Sequence, residues 1–420
     1  VTLQLAPYQT AGVEWLAGGS RMLADMQRLG KTPQAIRAAH AAGARHMQVI
    51  SPASVVEQWR REFGTWWPGG PLNLDVTSYA KAERLVGDAF PDVLILDEAH
   101  RLKTPTSRRT IAVYGTEDTG GAPVAGLAQC AGAIWPLTGT PAPNHAGEWY
   151  THVRALAPGA ITPRGSLWTY EQFLARYCAY RDSGFGLSIV GNQNVDELRD
   201  ILSTFVLRRT RAEVWKEVPP LRVERQPIVG RVPKTDNREL ERVRRALEIE
   251  GVEALKRLSP YFAEVRRLTG LAKVKPAAEW AADRLDDSGE KLVLFAYHSE
   301  VIDGLVERLA KYRPAKIDGR TPPKRRQPEV DRFMTDPTCR VFVGQTTAAG
   351  EGITIPIANT LALVESSWVP GDDAQAMDRI VHRDKREACL AVYLTLAGSI
   401  DEDIAKAVAR KVAMLSEILS

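Results

Sequence analysis

The chain has 420 residues, 44% hydrophobic and 25% charged, with a net charge of +4. Those values are of a globular protein of two or three domains, and no apolar run reaches membrane-spanning length. The start VTLQLAPYQT lacks the basic residues and apolar block of a secretory signal, and Cys130, Cys178, Cys339 and Cys389 lie too far apart for a metal knuckle or a disulfide framework, so a reducing cytosol is expected.

In chain order, a helix is expected from about Tyr8, after Pro7. Gln9 in that helix is either a surface residue or, lying just upstream of a phosphate loop, a partner for an adenine edge, since its amide both donates and accepts. LADMQRLGKT, Leu23 to Thr32, ends like a phosphate-binding loop: backbone N–H groups and the following helix N-terminus attract phosphate. Lys31 would neutralise the outer phosphates and the Thr32 hydroxyl would ligate Mg²⁺. Asp25 stands where the general pattern has glycine.

A strand over Gln48–Ser51 precedes a helix, Ser54 to Phe63, in which Trp59 and Arg60 are either core and surface or a nucleic-acid edge. After a strand from Leu74 to Tyr79 comes DVLILDEAHRLK. Its apolar run, Val93 to Leu96, has the length of a buried parallel strand, and it ends in two carboxylates, Asp97 and Glu98. Carboxylates there need compensation, and a divalent cation held by one with an attacking water held by the other is the usual form in nucleotide sites; a plain helix cap is the alternative. A strand from Ala133 then ends in Thr138, Gly139 and Thr140, small hydroxyls and free backbone where ligands of parallel sheets sit, or an ordinary turn.

Taken in this order, Gln9, the LGKT loop, ISP, DEAHRLK and LTGTP resemble the first half of a superfamily-two helicase-type ATPase. Lys103 after the acidic box, Asn144 after LTGTP, and FVLRRTRAEVWKEVPP, Phe205 to Pro220, narrow the resemblance to the Swi/Snf-type DNA translocases. The second half supports it. RVFVGQTTAAGEGI leaves a strand into Gln345, Thr346 and Thr347 and then Gly350, a loop suited to approach a phosphate. LALVESSWVPGDDAQAMDRIVHRDKRE resembles the family's last motif: Gln375, Asp378 and Arg379 match, and the second arginine is read as Arg383 through a one-residue insertion at His382.

The resemblance implies an α/β fold of two RecA-like lobes with parallel sheets facing across an ATP cleft: residues 1–220 with a helical protrusion at about 148–202, and 221–420 with one at about 235–275. It implies ATP and Mg²⁺ as cofactors. Asp25, Leu29, Gly30, Lys31, Thr32 and Gly350, with Gln9, would hold nucleotide; Thr32 and Asp97 the metal; Glu98 would activate water; and Gln375, Arg379 and Arg383 would act on the transition state. Trp59, Arg60, Thr140, Gln345, Thr346 and Thr347 would meet nucleic acid. The implied partner is double-stranded DNA, branched or forked forms included, with no membrane and a monomer expected. A strand-separating DNA or RNA helicase and a nucleotide-gated DNA-binding module with impaired hydrolysis, the latter suggested by Arg28 in the loop, are the alternatives. The compact, Ala- and Arg-rich chain without accessory domains suggests a bacterial or phage protein of the cytoplasm.

Overall fold

The computed structural model describes residues 4–86, 90–116, 124–142, 144–182, 187–233, 237–250, 259–346, 353–367 and 370–419. The chain forms two compact units, one of residues 1–180, 191–214 and 414–420, the other of 181–190 and 215–413. The main division thus falls after Val214, ahead of the proline pair at 219 and 220 that marked it in the sequence.

The first unit is built on a six-stranded sheet of β1 (Met22–Leu23), β2 (His46–Ser51), β3 (Asn73–Ser78), β4 (Val93–Asp97), β5 (Ala133–Leu137) and β8 (Val206–Leu207) in the order β3-β2-β4-β5-β1-β8, with every pairing parallel. Successive side chains of a strand point to opposite faces, and both faces of β4 are covered. Val93 and Ile95 join Leu16, Ile36 and Trp59 on one side; Leu94 and Leu96 join Val113 and Leu127 on the other. Leu137 of β5 is in register with Leu23 on one flank and Asp97 on the other. The chain therefore leaves β1, β4 and β5 at one level, and the loops that follow share one edge of the sheet.

The segment expected to be a mostly helical protrusion is mixed. Helices Tyr150–Leu156, Tyr170–Tyr177 and Val195–Ser203 are present, but β6 (Cys178–Asp182) and β7 (Leu187–Asn192) form a hairpin. The β-prone Tyr180, Ile189 and Val190 fit pleated backbone better than helix. Thr169 caps the second helix reciprocally: its hydroxyl accepts from the Gln172 amide at 3.3 Å, and Gln172 Oε1 accepts from the Thr169 amide at 2.9 Å. The aromatic residues form a small core: Trp149, Tyr150, Phe173 and Tyr177 are all fully buried.

The second unit carries β9 (Arg222–Ile228), β10 (Leu292–Ala296), β11 (Ala315–Ile317), β12 (Val341–Gln345), β13 (Thr360–Leu363) and β14 (Leu390–Leu396), again all parallel, in the order β11-β12-β10-β13-β14-β9. Strand β9 was not expected, because RVERQPI is polar and contains Pro227. It lies at the sheet edge, paired only with β14, where a missing N–H and exposed side chains are tolerated. The Arg- and Glu-rich helix Asn237–Glu250 is not wholly solvated. Val243 and Leu247, one turn apart, pack with Phe262, Val265, Ile400 and Ile404. Helix Ser259–Ser288 runs through Pro276, and its Lys273, 2% exposed, fastens it to the sheet: Nζ lies 2.6 Å from Asp401 Oδ2 and donates to Leu394 O at 3.2 Å.

Removing one member of a buried pair strands the other, whereas replacing both is nearly neutral. Lys273→Ala should therefore lower the stability of the second unit by about 3 kcal/mol, and Lys273→Met combined with Asp401→Asn should recover most of it. Chemical denaturation followed by circular dichroism measures both; equal losses in the two variants would show that packing rather than charge fastens the helix.

Candidate nucleotide site

In the first unit the loop after β1 runs into helix Lys31–Ala41, and two of its residues take left-handed backbone: Arg28 at φ 74° and Gly30 at φ 73°. At Gly30 glycine is required on two counts, since a Cβ would also come within 2.4 Å of Gln9 Nε2. Leu29 is fully buried, and its carbonyl receives Gln9 Nε2 at 3.2 Å and the Tyr8 hydroxyl at 3.3 Å. The Gln9 Oε1 accepts from the Ala6 amide at 2.9 Å. Gln9 is therefore neither a surface residue nor committed in full: each end of the amide has a second position for a base edge.

Asp25 does not stand in for the missing glycine as a phosphate contact. It is fully buried and held by Arg209, whose Nη2 lies 2.5 Å from Oδ2 and whose Nε donates to Oδ1 at 2.9 Å. Gln34 Nε2 adds a donor at 3.2 Å, and Arg209 reaches on to Gln34 Oε1 at 2.8 Å and to the Tyr8 carbonyl. One buried carboxylate thus ties together the phosphate loop, the first helix and the segment after β8. Lys31 Nζ donates to the backbone carbonyl of Asp25 at 2.8 Å. Burial lowers the Lys31 pKa, opposed by the charges of Glu98, Asp25 and Asp97. Thr32 is half-buried in the first turn of the helix.

At the end of β4, Asp97 Oδ2 accepts from the Trp59 indole at 2.8 Å, Oδ1 accepts from the Glu98 amide at 3.0 Å, and the Asp97 carbonyl accepts from the Tyr79 hydroxyl at 2.8 Å. Trp59, 2% exposed, is thus a core residue that orients the carboxylate and cannot meet nucleic acid. Its neighbour Arg60 is exposed and paired with Glu57. Burial and the Glu98 charge push the Asp97 pKa up to about 6. Burial also raises Glu98, but hydrogen bonding and charge from His100, with the Lys31 charge, hold it net below the usual range. Glu98 takes left-handed backbone, φ 51°, which turns the chain off the strand. His100 Nδ1 lies 3.2 Å from Glu98 Oε2 and 3.2 Å from Thr138 Oγ1, so the acidic strand end and the LTGT turn are joined through one ring. Thr140 is half-buried, its amide donating to Thr138 Oγ1 at 3.1 Å.

Glu148 was not singled out from the sequence, since nothing distinguishes it from other acids there. It is 5% exposed and holds both residues that narrowed the resemblance: Lys103 Nζ lies 2.7 Å from its Oε1, and the Asn144 amide donates to Oε2 at 2.8 Å.

In the second unit Gln345 links the ends of three strands, accepting from the Gly319 amide at 2.7 Å and donating to Tyr297 O at 2.9 Å. Thr346 is 3% exposed, and both its amide and its hydroxyl donate to Ala296 O. Both are occupied within the fold rather than presented to a nucleic-acid backbone. Thr347 and Gly350 lie outside the described residues. Gln375 is half-buried on helix Pro370–Met377. Arg379 Nη1 donates to Ile353 O at 3.1 Å. The Arg383 side chain is 66% exposed, its Nε 3.6 Å from Asp384, while His382 is 41% exposed.

Loss of Arg209 would leave Asp25 charged and without its cation in the interior. Arg209→Ala should destabilise the first unit by roughly 3–5 kcal/mol, and adding Asp25→Asn should restore at least half of that. Thermal unfolding of the two variants is the measurement; an Arg209→Ala protein as stable as the parent would show that the pair does not hold the loop.

The Helicase conserved C-terminal domain family matches residues 277–384. Over 446 residues the chain is 28% identical to the Caenorhabditis elegans homolog of SWI/SNF-related matrix-associated actin-dependent regulator of chromatin subfamily A-like protein 1, covering 99% of this chain and 62% of that protein. It is 29% identical to the Xenopus tropicalis protein of that name, covering 98% of this chain and 45% of that one. With the Bos taurus DNA annealing helicase and endonuclease ZRANB3 it is 27% identical, covering 95% of this chain and 39% of that one. The Sulfolobus solfataricus SWI2/SNF2 ATPase core in complex with dsDNA superposes at a TM-score of 0.45 with 20% identity, covering 100% of this chain and 93% of that one. The chain spans less than two thirds of the length of these curated relatives.

The expectation of a bacterial or phage cytoplasmic protein is corrected by these relatives, which are animal proteins, two of them named for the regulation of chromatin, a nuclear material. Ala and Arg content reflects base composition and helix propensity, and does not report a compartment. The motif order along the first unit, the family match in the second and the alignment along nearly the whole chain agree in likening the chain to the Swi/Snf-type helicase-like ATPases of superfamily two.

Proposed function

We propose that the protein hydrolyses ATP in response to DNA and uses the cycle to move along double-stranded DNA. The observation that carries this reading is the gathering of half-buried Lys31, Asp97 and Glu98 at one edge of a parallel sheet, near enough for the two carboxylate charges to act on the lysine. The residues fit a magnesium nucleotide. Gly30 leaves room beside Gln9 for close backbone approach, and Asp97, raised to about 6 by burial beside Glu98, is a carboxylate that a divalent cation would stabilise. Mg²⁺ held by Asp97 and Thr32 would neutralise phosphate charge.

Lys31, half-buried and anchored on the Asp25 carbonyl, would bind the outer phosphates. Glu98, kept ionised by His100, would orient the attacking water and take its proton. Arg379 and Arg383 are the proposed source of positive charge for the transition state, with Gln375 as a neutral hydrogen-bonding group, and exposed Arg383 has the freedom that such a residue needs. Duplex DNA as the track is supported by the sharing of Glu148 between Lys103 and Asn144, the two residues on which the resemblance to DNA translocases narrows, and by the names of the relatives.

Lys31→Ala should weaken nucleotide binding by roughly tenfold to a hundredfold, the worth of a charge-assisted hydrogen bond. Glu98→Gln should cut DNA-stimulated turnover by about a hundredfold or more and leave nucleotide affinity nearly unchanged. Phosphate release and equilibrium nucleotide binding decide this; normal turnover in Glu98→Gln removes that residue from the reaction.

Movement along a duplex is separable from strand separation. With ATP present, the protein should displace the third strand of a triplex and unwind a forked duplex poorly. Contacts to phosphates rather than bases should make binding fall steeply with salt, about a thousandfold between low and moderate salt if six phosphates are neutralised. Efficient fork unwinding without triplex displacement would replace the translocase reading with a strand-separating helicase.

A further inference from the structure

One polar group in the first unit has no use in the scheme above. Gln27 lies in the phosphate loop, ahead of Arg28 and Gly30. Its Nε2 is buried and meets no hydrogen-bond acceptor among the described residues. A buried amide N–H without a partner costs about 1–3 kcal/mol, so few persist in native proteins without an acceptor in some state of the molecule.

Its position suggests that acceptor. The Gln27 amide is packed on Gly139 of the LTGT turn: a Cβ at Gly139 would lie 2.5 Å from Gln27 Cδ and 2.6 Å from Nε2. The Gly139 carbonyl and the Ala24 carbonyl are each 3.5 Å from Arg208 Nη1, and the charge of Arg208 acts on Lys31. Gln27 Nε2 is thus a neutral donor packed on the same glycine that the Arg208 guanidinium reaches, a cation that draws an anion. The residue before Gly139 is Thr138, which reaches Glu98 through His100. The amide accordingly sits against the turn that His100 joins to Glu98, the proposed water-activating carboxylate.

We infer that Gln27 donates from Nε2 to the terminal phosphate of a bound nucleoside triphosphate and, through its packing on Gly139, sets the LTGT turn according to whether that phosphate is present. The inference rests on the nucleotide reading of the site and adds a residue to it. Gln27 touches substrate through one atom and touches the turn through the rest of its amide, so loss of the terminal phosphate frees the amide to shift. The absence of a side chain at Gly139 is what lets the contact form.

The test compares two ligands, a non-hydrolysable ATP analogue and ADP, bound at equilibrium to the full chain and to Gln27→Leu, Gly139→Ala and the double variant. Gln27→Leu should weaken the triphosphate analogue by about tenfold and ADP by less than about twofold. Gly139→Ala, which drives the amide off its seat, should shift the same ratio in the same direction, and the double variant should be no worse than the more severe single one, because both remove one interaction. Retained ADP binding shows that each variant is folded. Equal weakening of the two ligands, or an unchanged ratio, overturns the inference while leaving the nucleotide reading intact. A parent protein that binds neither ligand overturns both.

Discussion

The Asp25 carboxylate has no water around it and must be neutralised inside the protein. Arg209 does so from a segment far along the chain, and Gln34 and Tyr8 complete the cluster. The consequence is geometrical. Asp25 belongs to the loop after β1, Arg209 follows β8, and Gln34 lies on the helix the loop starts, so one ion pair sets where the loop sits relative to the sheet and to its own helix. Lys31 depends on that placement directly, since its ammonium group is anchored on the Asp25 carbonyl. A phosphate loop rich in glycine is held by the ligand it wraps. This one has Gln27 and Arg28 where such loops are lightest, and a buried salt bridge gives it a shape before any ligand arrives.

The same economy governs the acidic strand end. Two adjacent carboxylates that both stayed ionised in the interior would repel strongly, and the fold separates their states. Burial and the neighbouring Glu98 charge raise the affinity of Asp97 for a proton, and the neutral donors it receives, the Trp59 indole and a backbone amide, offset only part of that rise. Glu98 receives His100 and the Lys31 charge, and it stays ionised. The left-handed turn at Glu98 is what sends the two side chains into these different surroundings. The two carboxylates thus differ in charge state before any ligand arrives, the division of roles that the proposed chemistry requires.

Much of this was legible in the letters. Runs such as VLIL and LVLF are apolar without alternation, as doubly covered parallel strands are. What the letters hid were partnerships between distant residues. Trp59 looks the same in sequence whether its indole meets a base or a carboxylate, and only the tertiary packing of its helix on β4 decides. Glu148 and Lys273 are ordinary charged residues until burial makes them obligatory partners. Strand β9 was hidden for a different reason: an edge strand needs neither apolar residues nor a full set of N–H groups, so the polar RVERQPI carries no strand signal of its own.

The last motif shows why spacing alone is an incomplete guide. An insertion in a motif matters only if it changes which side chain the fold presents. Here the backbone after the helix Pro370–Met377 is fixed from below by Lys385, 8% exposed, whose Nζ donates to the carbonyls of Pro356, Ala358 and Ile380. With Lys385 pinned, the residues just ahead of it form a short arch. Arg379, at the near end, is turned inward onto the Ile353 carbonyl, and Arg383, near the crest, has most of its side chain in solvent. The arch rather than the residue count determines which arginine points to solvent, with its two ends held where Arg379 and Lys385 are anchored.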